Sequence, residues 1–211
     1  MKGLVVSNGE INDLNQLKDI SKSVDFIISV DGGTNYILKA NIKPDLVVGD
    51  LDSIEKDVLN KIKEENIQVL KFPSHKDYTD TELALKYLVD RKFEEIILMG
   101  VIGTRIDHTL ANVYLLYNLF QKGIKGMIIN EKNTIYITDN ELEIEKEEGT
   151  FVSVIPINSS GAKVTLKGFL YETDRADFHF SSTFGISNEI VEKKGYIKVE
   201  EGICLIIKSK D

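Results

Sequence analysis

Short apolar runs alternate with longer amphipathic segments over the first 130 residues of the chain. The apolar runs are rich in valine and isoleucine, which favour strands, and they predict strands at Leu4–Ser7, Phe26–Val30, Leu46–Val48, Val69–Phe72, Ile96–Met99 and Met127–Ile129. Helical spacing of the apolar positions between them predicts helices at Asn12–Ile20, Thr34–Ala40, Ile54–Glu65, Asp80–Lys92 and Thr109–Lys122. Because strands that alternate with helices form parallel sheets covered by helices, the pattern predicts an α/β domain.

The pattern changes near Asn130. After it come short strand-like runs separated by turn residues and without a helical period, namely "TIYITD", "TFVSVIPI", "AKVTLKG", "GYIKVEEG" and "ICLIIK". Regularly spaced short strands are typical of an all-β sandwich or barrel. We therefore predict an α/β domain over residues 1–130 and an all-β domain over residues 131–211.

Polar, acidic and glycine residues recur where the predicted strands of the first domain end. The segments are "SNGE", "DGGTN", "GDLDS", "PSHKDYTD" and "GTRIDH", in chain order. Ligands of open α/β sheets bind beyond the carboxyl ends of the strands, and these ends share one edge of a parallel sheet. The sequence therefore predicts a binding site at this edge.

Asp50 and Asp52 follow the third predicted strand and stand two residues apart. In an extended segment their carboxylates point to the same side, where they repel each other unless a cation or a proton lies between them. Mg²⁺ prefers oxygen ligands and commonly takes one or two carboxylates together with substrate phosphates. Two alternatives remain: Asp52 or Ser53 caps the next helix, or the Asp-x-Asp pair contains the aspartyl nucleophile of a phosphatase.

The segment "KDYTDTELAL" combines helix-start signals with further acids. Thr79 and Glu82 have the spacing of a capping box, which favours a structural role for Glu82. Asp80 falls in the first helical turn, where a carboxylate interacts well with the helix dipole whatever its function. Its place at the same sheet edge as Asp50 and Asp52 makes it a candidate metal ligand.

The segment "GVIGTRIDHTLAN" has the composition of a phosphate site. Glycines such as Gly103 let a backbone approach a phosphate, and the guanidinium of Arg105 matches phosphate oxygens. The alternative is a glycine-rich turn with Asp107 as the N-cap of the next helix. His108 is a candidate acid or base, or a structural histidine.

Composition narrows the class of protein. The net charge of −8 argues against a general nucleic-acid surface, which needs a dominant basic face. The single cysteine, Cys204, lies in an apolar run and predicts a core position in a reducing, cytoplasmic setting. No apolar run approaches the roughly 20 residues of a membrane span, so we expect no membrane association.

Five motifs together resemble those of the bacterial thiamine pyrophosphokinases: "DGGTN", "PDLVVGDLDS", "KDYTDTELAL", "GTRIDHTLAN" and "GISNE", in this order. The resemblance implies an N-terminal α/β catalytic domain and a C-terminal β-sandwich that binds thiamine. It implies transfer of the terminal pyrophosphate of ATP to the hydroxyethyl oxygen of thiamine, with release of AMP. It also implies Mg²⁺ as cofactor and a homodimer that holds thiamine in a cleft between subunits.

The motifs imply roles for individual residues. The expected Mg²⁺ ligands are Asp50, Asp52 and Asp80, which together with Arg105 form the catalytic group. The expected ATP-binding residues are Asp77, Thr79, Gly103, Arg105, Asp107 and His108. The expected thiamine contacts are Asp31, Ser187 and Asn188. The family often stacks a tryptophan on thiamine, and because this chain has none, Phe184, Phe180 and Tyr171 are the candidate substitutes.

Two rival functions use the same residues. In a Mg²⁺-dependent phosphatase or nucleotide pyrophosphohydrolase, the carboxylates would activate water instead of orienting an alcohol. In a thiamine or nucleotide sensor, the β domain would bind its ligand without turnover. A carboxylate cluster facing a polyanion argues against the sensor, since binding alone needs fewer acids.

Overall fold

A computed structural model describes residues 1–72 and 77–211 of the protein. Residues 73–76, which include the first residue of the "KDYTDTELAL" motif, lie outside the described ranges. The chain divides into two compact units, Met1–Glu131 and Lys132–Asp211.

Six strands and five helices alternate along the first unit. The strands are β1 (Lys2–Val6), β2 (Phe26–Val30), β3 (Leu46–Val48), β4 (Gln68–Leu70), β5 (Glu95–Met99) and β6 (Lys125–Ile129). The helices are α1 (Leu14–Ser21), α2 (Gly33–Lys39), α3 (Lys56–Glu64), α4 (Asp80–Asp90) and α5 (Ile106–Gln121). The alternation predicted from the apolar pattern is confirmed.

Within the first unit, the strands lie in the order β4-β3-β2-β1-β5-β6, and all five neighbouring pairs are parallel. The chain therefore winds in one direction from β1 to β4 and in the other from β5 to β6. The segments that leave β1 and β5 diverge at this reversal, and in open α/β sheets such a switch point is where ligands bind.

The starts of the helices follow the sequence signals only in part. Thr79 caps α4, because its hydroxyl accepts a hydrogen bond from the Glu82 N–H at 3.2 Å. The alternative in which Asp52 or Ser53 caps the third helix is wrong, since α3 begins at Lys56, two residues after the predicted start, with Glu55 as its N-cap. Asp107 is likewise in the first turn of α5 and is not its cap.

Helix α4 packs on β1 through a large side chain and a glycine. Leu88 of α4 is fully buried, and a Cβ on Gly3 of β1 would lie 2.8 Å from its Cδ1. The glycine thus gives the helix its close approach to the sheet, and the leucine fills the space. Near the other end of the contact, Thr81 of α4 reaches the residue that follows β1, Ser7.

The second unit is built from seven strands in two antiparallel sheets. The strands are β7 (Asn133–Thr138), β8 (Glu141–Glu145), β9 (Thr150–Pro156), β10 (Ala162–Lys167), β11 (Thr173–Phe178), β12 (Lys194–Glu201) and β13 (Cys204–Lys210). One sheet has the order β7-β13-β9 and the other β11-β10-β12-β8. Side chains from both sheets share one buried core, as in a sandwich.

Strands β8 and β11 do not appear among the predicted strands. Their sequences, ELEIE and TDRADF, contain three charged residues each, and those residues are exposed, so both strands lack a continuous apolar run. Both lie at the edges of the four-stranded sheet, where charged residues are common because one side of the strand faces solvent.

The single cysteine has the core position that its apolar surroundings predicted. Cys204 is fully buried in the core of the second unit, and burial raises the pKa of its thiol to about 12. In the part of the chain that the structure describes, no helix is long and apolar enough to span a membrane.

Replacing Leu88 with alanine removes the side chain that fills the contact between α4 and β1. We expect Leu88→Ala to lower the free energy of unfolding by about 2–5 kcal/mol, because it leaves a cavity under a fully buried position. The measurement is urea unfolding followed by circular dichroism. Lys86→Ala, on the exposed face of the same helix, is the control and should change stability by less than about 0.5 kcal/mol. Equal effects of the two would refute the packing described.

Candidate active site

A cavity of about 550 Å³ lies in the first unit at the carboxyl ends of its strands. Its wall comes from the segments that follow β1, β2, β3 and β5 and from the first turns of α4 and α5. The lining includes Ser7, Gly9, Ser53, Asp80, Thr81, Gly103 and Arg105. The cavity is thus at the switch point, and its volume lies within the roughly 300–1,000 Å³ of small-molecule sites.

Backbone contacts fasten the segment after β1 to the segment after β5. The Gly9 N–H donates to the Gly100 carbonyl at 2.6 Å, and the Glu10 N–H donates to the Ile102 carbonyl at 3.1 Å. A Cβ on Gly9 would lie 2.5 Å from both of these carbonyl oxygens, so only glycine permits this approach. The two segments therefore form one continuous wall of the cavity.

Helix α5 holds the glycine-rich segment in place. The Thr109 hydroxyl accepts from the Gly103 N–H at 3.2 Å and lies 3.3 Å from the Gly103 carbonyl. The Asn112 side-chain amide donates to the Val101 carbonyl at 2.8 Å. These side chains therefore hold the glycine-rich segment in a defined conformation at the cavity, which Thr109 and Asn112 also line.

Arg105 and Asp107 form a two-pronged ion pair at the start of α5. The Arg105 Nη2 and Nε donate to the two carboxylate oxygens of Asp107 at 2.5 and 3.2 Å. The hydrogen bond from Arg105 holds the pKa of the Asp107 carboxyl below its ordinary value. The guanidinium is two-thirds exposed, so it remains accessible to an anion in the cavity.

The segment of Asp50 and Asp52 is a turn and not the extended strand end that the sequence predicted. Strand β3 ends at Val48, and Gly49 and Leu51 have positive φ angles of 136° and 72°. The Asp50 carboxylate accepts a hydrogen bond from the Asp52 N–H at 3.1 Å, which is an Asx turn. The same-side argument for the two carboxylates therefore fails, although both side chains are exposed.

Two neighbours hold this turn against the rest of the first unit. The Asn35 side chain of α2 donates to the Ser53 carbonyl at 3.2 Å and accepts from the Glu55 N–H at 3.1 Å. The Asp31 carboxylate lies against Gly49, where any Cβ would overlap it. Asp31 itself has a positive φ of 47°, a conformation that non-glycine residues adopt mainly at special sites.

The structure brings some of the predicted residues to the cavity and leaves others away from its wall. Six predicted residues line it: Asp31, Thr79, Asp80, Gly103, Arg105 and His108. Of the other predicted residues of the first unit, Asp50, Asp52, Asp77 and Asp107 are absent from the described lining, and Ser187 and Asn188 belong to the second unit. Among the described residues, no three His, Cys, Asp or Glu side chains form a ready-made metal site.

The second unit contains Ser187 and Asn188, and Asn188 joins two of its loops. The Asn188 amide oxygen accepts from the backbone N–H groups of Tyr171 and Glu189, both at 3.0 Å, and its amide nitrogen donates to the Tyr171 carbonyl at 2.8 Å. The Asn188 backbone also pairs with Val152. Asn188 is buried, whereas Ser187 is exposed and has a positive φ of 58°.

Large apolar side chains are exposed in the same part of the second unit. Those with more than two-fifths of their surface exposed are Leu170, Tyr171, Phe180, Phe184, Ile186 and Val191. Phe184 packs edge-on against the buried Phe178, with ring centroids 5.0 Å apart. Tyr171 is 68% exposed while its backbone is held by Asn188, so a fixed backbone presents an open ring.

Comparison with known proteins follows the same division of the chain. Residues 17–128 match the family described as thiamin pyrophosphokinase, catalytic domain, and residues 139–204 match thiamin pyrophosphokinase, vitamin B1 binding domain. The chain belongs to the thiamine pyrophosphokinase family. The thiamine pyrophosphokinase of Bacillus subtilis is 32% identical over 209 residues, which is 98% of each chain.

Solved structures of thiamine pyrophosphokinases have the same fold. The Bacillus subtilis enzyme superposes with a TM-score of 0.89 and full coverage of both chains. The Geobacillus thermodenitrificans enzyme superposes with a TM-score of 0.84 at 28% identity, over 100% of this chain and 98% of the other. The predicted family and the predicted class, an α/β unit followed by an antiparallel β unit, are confirmed.

Several cavity residues of this thiamine pyrophosphokinase family member are absent from the predicted site. Ser7, Asn8, Gly9 and Glu10 line the cavity after β1, and Asn112 lines it from α5. The "SNGE" segment was predicted to lie at the binding edge of the sheet, but its four residues were not given individual roles. Asn112 lies inside a helix, where the sequence does not show which face meets the cavity.

Replacing Arg105 should alter the titration of Asp107. We expect Arg105→Gln to raise the pKa of the Asp107 carboxyl toward its ordinary value, because the hydrogen bond from the guanidinium is the main cause of the lowered pKa. Carboxyl carbon chemical shifts measured by NMR across the acid range report this pKa. Glu147, whose pKa is lowered by Lys208 in the second unit, is the internal control and should not change. An unchanged pKa of the Asp107 carboxyl in Arg105→Gln would show that the ion pair is not formed in solution.

Proposed function

We propose that this chain transfers the pyrophosphoryl group of ATP to the hydroxyethyl oxygen of thiamine, giving thiamine diphosphate and AMP. The family's reaction is this transfer. The observation that carries the proposal for this chain is the switch-point cavity, whose wall combines an acid at the start of α4 with a glycine-rich segment and an arginine at the start of α5.

We propose that the phosphates of ATP lie on the wall formed by Gly103, Arg105 and the first turn of α5. Backbone N–H groups at a helix start attract anions, and a guanidinium binds phosphate oxygens with two parallel hydrogen bonds. Asp107 would hold Arg105 in orientation until phosphate oxygens compete for the same N–H groups. Asp77, Thr79 and His108 complete the proposed ATP-binding set.

ATP-using kinases of this kind generally need a divalent metal. We propose that the metal is Mg²⁺ and that Asp50, Asp52 and Asp80 hold it. The three carboxylates are not a ready-made site among the described residues, but they are of the ligand type that Mg²⁺ takes: Asp50 and Asp52 are exposed on a tethered turn, and Asp80 lines the cavity. When bound, Mg²⁺ would neutralise phosphate charge, as divalent cations do in phosphoryl transfer.

The proposed chemical step is an in-line displacement. The thiamine hydroxyl oxygen forms a bond to the β-phosphorus of ATP. The bond from that phosphorus to the oxygen that bridges it to the α-phosphorus breaks, and AMP leaves with that oxygen. The hydroxyl proton passes to a base. Positioning and charge neutralisation supply most of the catalysis in such transfers. Arg105 would stabilise the negative charge that develops on the phosphate oxygens.

We propose that thiamine is bound by Asp31, Ser187 and Asn188 in a homodimer, with contacts from the partner subunit. Exposed apolar side chains in the second unit and on α5, where Ile106, Leu110 and Tyr114 are exposed, are typical of interaction surfaces. Tyr171 is the proposed substitute for the family's tryptophan, because its ring is exposed and Asn188 holds its backbone.

A cytoplasmic location is also proposed, since the single cysteine, Cys204, is a buried free thiol.

The test of the reaction is incubation with ATP, Mg²⁺ and thiamine, with the products identified by mass. We expect thiamine diphosphate and AMP in equal amounts, and no AMP without thiamine. Release of AMP or ADP without thiamine would favour the phosphatase or pyrophosphohydrolase, and thiamine binding by calorimetry without turnover would favour the sensor. Either result would overturn the proposal.

Neutralising one proposed metal ligand should reduce activity in a metal-dependent way. We expect Asp52→Asn to lower kcat/KM at ordinary Mg²⁺ by at least about tenfold, because a carboxylate that holds the metal is lost. Titration of the rate with Mg²⁺ should shift to higher concentration. Asp57→Asn, an exposed acid on α3 that makes the same charge change, is the control. Full activity of Asp52→Asn would contradict the metal assignment.

The proposed homodimer predicts a particle of twice the 23.8 kDa chain mass. Sedimentation equilibrium should give this mass at the concentrations used for the assay, since burial of the exposed apolar side chains favours association. A fully active enzyme that sediments as a monomer would contradict both the dimer and thiamine contacts from a partner.

A further inference from the structure

A hydrogen bond between two buried hydroxyl groups joins the end of β1 to the first turn of α4. The Ser7 Oγ and the Thr81 Oγ1 are 2.9 Å apart, and the two residues are 6% and 8% exposed. Both residues also line the cavity. A buried hydroxyl that loses its partner is destabilising, so this contact specifies how the two elements meet.

Ser7 belongs to the wall that contains the glycine-rich segment. Its N–H donates to the Met99 carbonyl of β5 at 2.9 Å, and the next residues continue this pairing through Gly9 and Glu10. The position of the Ser7 hydroxyl is therefore tied to the segment that ends at Gly103 and Arg105. This wall is the part of the site proposed to hold the ATP phosphates.

Thr81 lies next to Asp80 in the first turn of α4, and both residues line the cavity. The other end of the contact between α4 and β1 is the packing of Leu88 on Gly3, which is non-directional. The hydrogen bond at the Thr81 end adds a directional constraint on how the helix meets the strand. The bond between Ser7 and Thr81 thus holds the first turn of α4, which contains Asp80, against the segment that follows β1.

We propose that Ser7 and Thr81 are positioning residues that set the separation between the metal-binding and phosphate-binding walls of the cavity. The inference rests on the proposed function, which assigns Asp80 to the metal and Arg105 to phosphate. Neither hydroxyl takes part in the transfer. Their effect is on the affinity for the metal–nucleotide pair and on the alignment of its phosphates.

A second hydroxyl pair in the same unit supplies a matched control. The Thr34 Oγ1 of α2 donates to the Ser29 Oγ of β2 at 2.9 Å, and both residues are fully buried. This pair also joins a strand to the first turn of a helix, but neither residue is among the described residues that line the cavity. Breaking it should affect stability without changing the separation of the two walls.

The experiment compares the wild type with Thr81→Val, Ser7→Ala, the double variant, Thr81→Ser and Thr34→Val. Calorimetry measures binding of a non-hydrolysable ATP analogue with Mg²⁺, circular dichroism measures Tm, and steady-state kinetics measure KM for each substrate. We expect Thr81→Val to weaken analogue binding about tenfold, since displacements of about 1 Å cost this much or more in positioned sites. KM for thiamine should not change in Thr81→Val. Thr81→Ser keeps a hydroxyl at this position and should bind the analogue with wild-type affinity.

The double variant separates a specific bond from general damage. If loss of the hydrogen bond causes the loss of affinity, the double variant binds the analogue no more weakly than the single variant with the lower affinity, because the two substitutions remove the same bond. Thr34→Val should lower Tm and leave analogue affinity unchanged. Ser7→Ala breaks the same hydrogen bond by removing a single oxygen atom, so it provides the test if Thr81→Val does not fold.

The failures of the two ideas are distinguishable. Wild-type affinity for the analogue in Thr81→Val and Ser7→Ala would overturn the positioning role while leaving the transferase intact. Equal losses in Thr34→Val and Thr81→Val would overturn it as well, since destabilisation alone would then explain both. A wild type that binds Mg²⁺ and the analogue but transfers nothing to thiamine would overturn the proposed function alone.

Discussion

The backbone contact between the segments that leave β1 and β5 is the constraint on which the cavity depends. Parallel strands whose connections diverge leave a crevice, and here the Gly9 N–H donates to the Gly100 carbonyl at 2.6 Å and joins the two segments into one wall of it. Because a Cβ at Gly9 would collide with two carbonyl oxygens, the wall exists only with glycine at this position. The positions of Gly103 and Arg105 follow from that contact.

Much of the first unit was predictable because its inner strands β1, β2, β3 and β5 are almost fully buried. The runs Phe26–Val30 and Leu46–Val48 are predominantly apolar, and their predicted bounds agree with the structure. The sheet edge where the polar segments meet also follows from parallel topology. Within that edge, the sequence identified the acids and Arg105 but not the residue types that line a cavity by virtue of helix orientation, such as Asn112.

The failures of prediction come from backbone conformation and from edge strands. Gly49 and Leu51 adopt positive φ angles, so the segment after β3 turns where an apolar strand pattern suggested extension. Helix α3 consequently begins later than the polar residues near Ser53 indicated. Strands β8 and β11 were not predicted from the sequence because their pairing with β12 and β10, and not an apolar period, defines them.

An acidic protein that binds a polyanion needs its few cations in defined places. The net charge of −8 gives no general attraction for phosphate, so affinity depends on local groups. Arg105 is held by Asp107, which orients the guanidinium and lowers its local net charge at the same time. Any anion that displaces Asp107 must therefore offer a better two-oxygen match, which favours phosphate over singly hydrogen-bonded anions.

The charged edge strands of the second unit limit how two copies of the chain can associate. Three glutamates of β8 pair with Lys194 and Lys198 of β12, so this edge presents acids and lysines instead of apolar side chains. Strand β11 places Asp174, Arg175 and Asp177 at the other edge of the same sheet. Both edges discourage strand addition by a neighbouring chain, which is the first step of sheet-mediated aggregation. Assembly through this sheet is thereby directed to side-chain surfaces, whose composition can select one partner.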